Sequence, residues 1–352
     1  GYSQLYYNFV YEYVSHYRGV FGAIAIENEM NPGDGLKTWW GGTADEYLRV
    51  LRTAYKAIHD ADPDVTVVDG GFPNYWWGFC IGRQYYLEGQ PEAVIGPLGM
   101  AYYAAFINAG YDPGFTDAHG FYLAVSDPSL TLLENCDEFI LLTLPSLGDR
   151  VDAVNFHFYE SPDALPLITD FLSGEMAGNW GYSKPILSHE IGQLPGLYPS
   201  NRDVRYARDV FQTLVIGQAI RQAAAGPPGL LINSWFSQDV VGVSLWDVDG
   251  TPRPAGVAYA LVVHAIGDEY TFDHAPAAGP NLFHYVFADS AGTPGLEFAW
   301  TVTAPEQVTF TPPIGKTQAL VTDYLNLSPQ VYSGTFTLTV NPDTPLQVQW
   351  QP

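Results

Sequence analysis

An α/β domain of parallel strands, followed by an antiparallel β-sandwich, is the fold class this sequence predicts, and two patterns carry it. Up to about residue 267, helical stretches alternate with short apolar runs, the rhythm of βα units whose strands are buried on both faces. Beyond it, apolar and polar residues alternate between turn signals, as in "NLFHYVFADSAGTPGLEFAWTVTAPEQVTFTPP" and "SGTFTLTVNPDTPLQVQW". Domains at 1–267 and 268–352 follow from that change.

The elements are argued in order. Residues 3–17 place Leu5, Phe9, Tyr13 and His16 or Tyr17 at helical spacing, and "GVFGAIAI" follows as a buried strand. Thr43 is set as an N-cap with Glu46 in the capping-box position, starting a helix whose apolar face is Leu48, Leu51, Ala54, Tyr55 and Ile58. Pro63 ends it and "VTVVDGG" is the next strand. Residues 71–150 then form an aromatic, Gly/Pro-rich stretch, predicted to be a long inserted loop of the kind that binds or covers ligands. The rhythm resumes with a helix near "LTLLENCDEFILLTL", the strand "VDAVNFHFY", a helix near "LPLITDFLSG", the strand "PILSHEIG", a long helix from "RDVRYARDV" to "RQAAAG", the strand "GLLINSWFSQ", a hairpin and the helix "VAYALVVHAIG".

With 47% hydrophobic and 15% aromatic residues in 352, the chain has ample material for a core. Thirty-eight acidic residues against 14 basic give a formal charge of -24, which disfavours nucleic acid and anionic membranes as partners. No apolar run approaches the ~20 residues of a membrane span. The acidic, lysine-poor composition points to an extracellular or cell-surface protein. Cys80 and Cys136 form either a disulfide or two buried thiols, with the composition favouring the disulfide.

Chemistry concentrates where strands end, because parallel α/β barrels project reactive groups from the C-terminal ends of their strands. Asn28-Glu29, Asp69, His157-Phe158-Tyr159, His189-Glu190 and Trp235 occupy such places. Alone, Glu29 reads as a loop carboxylate or a cap. Glu190 at an equivalent strand end changes that, since a carboxylic acid paired with a carboxylate is what cleaving a glycosidic bond requires. His157 and Tyr159 alternate to one side of their strand. Trp39, Trp40 and Trp235 have the indole faces that stack on sugar rings, with core packing as the competing use. "DVDG" at 247–250 lacks the further ligands of a calcium loop, and His264, His274 and His284 show no ligand clustering. No G-x-S-x-G, P-loop or G-x-G-x-x-G is present. Neither a metal nor a cofactor is expected.

On these residues the sequence resembles clan A of the retaining glycoside hydrolases, enzymes on (β/α)8 TIM barrels, and within it the β-xylosidase and iduronidase-like families. "IENEMN" is similar to the clan's Asn-Glu motif at strand 4, "WWGGTADEYLRVLRTAYKAIHDADPDVTVVDGG" to the segment that follows, "NFHFY" to strand 6, "KPILSHEIG" to the nucleophile strand, and "SWFSQDVVGVSLWDVDGTPRPAGVAYAL" to strand 8 with its hairpin and helix. The resemblance runs over nearly the whole chain and includes the terminal sandwich. It implies a carbohydrate substrate joined by a β-type bond, cleaved by two glutamates in a double displacement. Glu29 would be the acid/base, Glu190 the nucleophile, Asn28 a partner of the sugar 2-hydroxyl, and His157, Tyr159 and Trp235 the lining, with Tyr159 bonded to Glu190. It also implies three βα units ahead of strand 4, at about thirty residues each. Only strands 4 to 8 are found, so the first units are expected upstream or in a partner chain. The rival expectation is a non-catalytic carbohydrate-binding or cell-surface protein on a degenerate barrel.

Overall fold

The structure is a computed structural model that describes residues 3–30, 40–72, 77–108, 110, 112–192, 202–223, 230–232, 244–276, 281–326 and 328–352. The chain divides into two compact units, Gly1–Ile191 with Pro227–Ser234, and Gly192–Gly226 with Trp235–Pro352.

The first unit contains α1 (Gln4–His16), β1 (Ala23–Ile26), α2 (Ala44–Ala61), β2 (Thr66–Asp69), α3 (Trp77–Leu87), α4 (Glu92–Asn108), α5 (Ala118–Ser126), α6 (Thr131–Asn135), α7 (Leu141–Thr143), β3 (Val154–Phe158), α8 (Ala164–Glu175), β4 (Ile186–Ile191) and β5 (Leu230–Ile232). All its strand pairings are parallel: β1 with β2, β3 with β4, and β4 with β5, while bridges Val68–Ala153 and Phe72–Phe156 join β2 to β3. Among the described residues these five strands form an arc in the order of the sequence and do not close on themselves. Thr43 caps α2 with both bonds of the capping box to Glu46 in place, as the spacing requires. Tyr47 of α2 then ties two strand ends together, its hydroxyl donating to Ile26 O at 3.4 Å and accepting Gly70 N–H at 3.1 Å.

Two sequence expectations need correction. The predicted face of α1 is exposed, with Leu5 83% and Phe9 66% accessible, while Val10 and Val14 are buried instead. Helical spacing identifies a stripe but not which stripe meets a neighbour. Residues 71–150 are not a long loop but a helical layer, α3 to α7, with a π-helical turn at Cys136–Ile140 and a Cys80–Cys136 disulfide across it. Its aromatics form a core around the buried Phe79, Tyr102, Tyr103, Phe106 and Phe121. The glycines that suggested turns are contact points between helices. A Cβ on Gly99 would lie 2.1 Å from the Phe121 ring, and one on Gly78 2.6 Å from Tyr102 and Tyr103. Only a residue without a side chain lets these rings seat against the backbone.

The second unit holds α9 (Arg202–Ala223), α10 (Pro254–Ile266) and strands β6 (Thr271–His274), β7 (Leu282–Ala288), β8 (Pro294–Thr301), β9 (Glu306–Phe310), β10 (Gln318–Asp323), β11 (Gln330–Ser333), β12 (Phe336–Val340) and β13 (Leu346–Gln351). A six-stranded antiparallel sheet runs β11-β10-β13-β8-β7-β6, and β12 pairs with β9. Val308, Phe310 and Val340 of the smaller sheet share one core with Ala299, Ala319, Val348 and Trp350 of the larger, as in a sandwich. The division at 267 drawn from the alternation pattern is not where the compact units part, because α9 and α10 group with the sandwich. Phe211 of α9 meets Phe298 edge-on at 5.5 Å, and Tyr324 donates to Val204 O at 3.1 Å.

Candidate active site

β1 stops at Ile26, and the next residues leave the extended region: Glu27 and Glu29 have φ of 68° and 47°. Left-handed backbone costs a residue with a Cβ about 1–2 kcal/mol and is held only by surrounding structure. Here Glu29 N–H donates to Gly70 O at 3.1 Å, and a Cβ at Gly70 would lie 2.1 Å from Met30 Sδ. The coiled end of β1 is thus pinned to the end of β2, and Glu29 comes off it toward β3.

His157 of β3 is completely buried, and its Nδ1 lies 2.9 Å from Glu29 Oε1 and 3.6 Å from Glu190 Oε2. Its Nε2 is sealed in with no hydrogen-bond partner among the described residues. With no acceptor at Nε2 among the described residues, the imidazole proton is placed on Nδ1, which donates to Glu29 Oε1. The two glutamate oxygens that flank this nitrogen are separated by no more than the sum of the two distances, roughly 6.5 Å. Gly71 makes the arrangement possible. It sits at φ 75°, and a Cβ there would come within 2.4 Å of the His157 ring and 2.7 Å of Asn155 Nδ2.

Tyr159 Oη donates to Glu190 Oε1. The next residue, Glu160, is a buried carboxyl that sequence reasoning passed over; it accepts Tyr102 Oη at 2.8 Å and Tyr159 N–H at 3.0 Å. Asp69, fully buried at the end of β2, accepts Gly71 N–H at 3.0 Å and Asn155 N–H at 2.8 Å. Burial pushes the Glu160 acid up to about 8, against the lowering influence of its Tyr102 and Tyr159 bonds, and Asp69 up to about 7, against its backbone donors.

Both groups hold in the folded state a proton that the unfolded chain releases near pH 4. Their contribution to stability is therefore complete at low pH and is lost as pH rises through about 7 to 8. The melting temperature is expected to fall between pH 5 and 8, and Glu160→Gln, which cannot ionise, is expected to flatten that fall. Thermal melts of both proteins across this range check it, and parallel slopes would exclude Glu160 as the source.

The other sequence candidates are distributed as follows. Asn28 is half-buried and makes no side-chain hydrogen bond among the described residues. Trp40 packs edge-on against Tyr47, donates to Thr43 O at 3.2 Å, and lines a cavity with Ser3, Tyr6 and Glu46 that includes none of Glu29, His157 or Glu190. Trp39 and Trp235 lie outside the described residues. Trp77 is core, buried against Phe72 and Phe156. His157, His189 and Glu190 present ligand-type atoms within 4.8 Å of one another.

No protein-family model matches the sequence, and no curated protein matches it. Solved structures do. A family 39 glycoside hydrolase from the gut symbiont Bacteroides cellulosilyticus WH2 superposes with a TM-score of 0.61 at 17% identity, covering 99% of this chain and 63% of its own. The catalytic domain of GH30 xylanase C from Talaromyces cellulolyticus gives 0.52 at 11%, covering 99% and 67%. A Paenibacillus polymyxa xyloglucanase of glycoside hydrolase family 44 gives 0.54 at 12%, covering 98% and 70%. The chain therefore spans under two thirds of the length of the family 39 structure it matches. At these identities the likeness is one of fold alone, shared with structures of glycoside hydrolase families 39, 30 and 44.

Proposed function

We propose that this chain carries the catalytic centre of a retaining glycoside hydrolase that cleaves β-glycosidic bonds of an oligo- or polysaccharide. The observation that supports it most is the pair of glutamates on either side of His157 Nδ1, at 2.9 and 3.6 Å. Their oxygens are bounded at roughly 6.5 Å, a limit that admits the ~5 to 5.5 Å of retaining enzymes and meets the inverting range only at its lower end. In the first step the Glu190 carboxylate attacks the anomeric carbon while Glu29 gives its proton to the departing oxygen. In the second, Glu29 takes a proton from water, whose oxygen displaces Glu190 from the sugar. Tyr159 holds Glu190 in line, His157 orients Glu29, and Asn28, Trp39, Trp40 and Trp235 contact the sugar. The Cys80–Cys136 disulfide supports a place outside the cell.

We also infer that the barrel is completed by a further segment of the polypeptide or by a partner chain. Ala23 and Ala25 of β1 are exposed, although the strand is apolar along its length, and the matching structures are longer than this chain.

The test is hydrolysis of a panel of aryl β-glycosides followed by proton NMR of the first-formed sugar. A β-anomer that appears before mutarotation supports the proposal, and an α-anomer overturns retention. Sugar binding without hydrolysis transfers the assignment to a non-catalytic carbohydrate-binding protein.

A further inference from the structure

The ends of β2, β3 and β4 are laced by hydrogen bonds that involve neither glutamate. Asn155 Nδ2 donates to Asp69 O at 3.1 Å, and Asn155 Oδ1 accepts His189 N–H at 3.2 Å. These two bonds settle which end of the amide is oxygen and which is nitrogen. The second amide hydrogen is left for His189 Nδ1, which Nδ2 contacts directly. A ring nitrogen that accepts a hydrogen bond carries no proton, so the proton of the neutral imidazole sits on Nε2. Among the described residues Nε2 has no hydrogen-bond partner, and unlike His157 Nε2 it is not sealed from solvent. The half-buried ring meets His157 edge-on with centroids 4.8 Å apart, and one of its nitrogens lies within 4.8 Å of a Glu190 oxygen. Burial, aided by His157 and opposed by Glu29, pushes the His189 pKa down to about 4, so the ring stays neutral at ordinary pH.

Resting on the glycosidase reading, we propose that His189 is a sugar-binding residue whose Nε2–H donates to a hydroxyl of the sugar held at Glu190, with Asn155 as the positioning residue that keeps the proton on that nitrogen. The residue beside the nucleophile then selects for an acceptor at one ring position, and it does so without titrating.

Two measurements test this. Long-range 15N–1H NMR of histidine-labelled protein, with the His189 signals identified by their loss in His189→Ala, is expected to show the neutral Nε2–H tautomer from pH 5 to 8. Asn155→Asp, which puts an acceptor against Nδ1, is expected to move the proton there or to charge the ring. An Nδ1–H tautomer in the wild type, or a ring that titrates in this range, overturns the proposal. The second measurement compares kcat/KM on an aryl β-glycoside and its monodeoxy analogues. His189→Ala is expected to lose about tenfold on the parent, the scale of one hydrogen bond, and nothing on the analogue that lacks the bonded hydroxyl. His189→Phe keeps the ring's bulk, removes the donor, and is expected to show the same selective loss. Equal loss across the series overturns the contact while leaving the glycosidase reading intact. A wild type that neither cleaves nor binds any member overturns that reading and the contact with it.

Discussion

Replacing Glu190 with alanine is expected to lower kcat by about five orders of magnitude, the scale on which a covalent nucleophile is missed. Its carboxylate is held by Tyr159 Oη and lies 3.6 Å from His157 Nδ1. Glu29→Ala is expected to behave differently. A missing general acid costs about 10²- to 10⁴-fold, and less where the leaving group departs without protonation, as an activated phenolate does. In that variant the glycosyl-enzyme still forms, and what is absent is the base that activates water. Azide, a small anion needing no base, should restore turnover and yield a glycosyl azide of retained configuration. Steady-state kinetics on a nitrophenyl β-glycoside with and without azide, and NMR of the product, decide the matter. Equal losses in the two variants with no azide effect would contradict the division of roles.

Opening the Cys80–Cys136 disulfide is expected to destabilise the first unit by about 4 kcal/mol, the chain-entropy value for cysteines 56 residues apart. The bond fastens α3 to the π-helical turn after α6, across a layer whose core mixes aromatics such as Phe79, Tyr103 and Phe121 with aliphatics such as Ile81, Ile95 and Val125. Its loss should reach the active site, because Tyr102 of α4 donates to Glu160, and Glu160 in turn accepts the backbone N–H of Tyr159. A drop in melting temperature of about 10 °C is expected for a unit of this size, together with slower turnover. Calorimetry with and without a reductant, with free thiols counted, measures both states. An unchanged melting temperature in fully reduced protein would show that the helical layer holds without its staple.

The sequence makes the strand ends legible because a buried parallel strand has no local reason to finish on Asn-Glu or His-Glu, so those pairs stand out. The capping box at Thr43 is legible for a similar reason, since four residues contain the whole interaction. What joins strand to strand is not. That His157 faces Glu29 and Glu190 together depends on a register shift between Asn155 and His157 in the β3–β4 pairing, which no run of residues within β3 encodes. Asn155 reads as a polar residue inside a strand until Asp69 and His189 are placed on either side of it. The helical layer was hidden because Gly78 and Gly99 signal turns in sequence but close contacts in three dimensions. The outward face of α1 defeats the periodicity argument in another way, because spacing cannot tell a buried stripe from an exposed one.

The sheet order of the second unit has a consequence for its biogenesis. β13, the last of its strands to be synthesised, lies in the middle of the sheet, between β10 and β8. Until residues 346–351 leave the ribosome, β10–β11 and β6–β7–β8 are two fragments, each with an unpaired edge where β13 belongs. Trp350 is missing from the shared core as well, and with it the indole N–H that bonds to the buried Glu297 of β8 at 2.6 Å. The sandwich cannot grow strand by strand behind the translating ribosome. It must wait with open edges and then close in one step, and that interval is when a chaperone, or a second nascent chain, has its access to those edges.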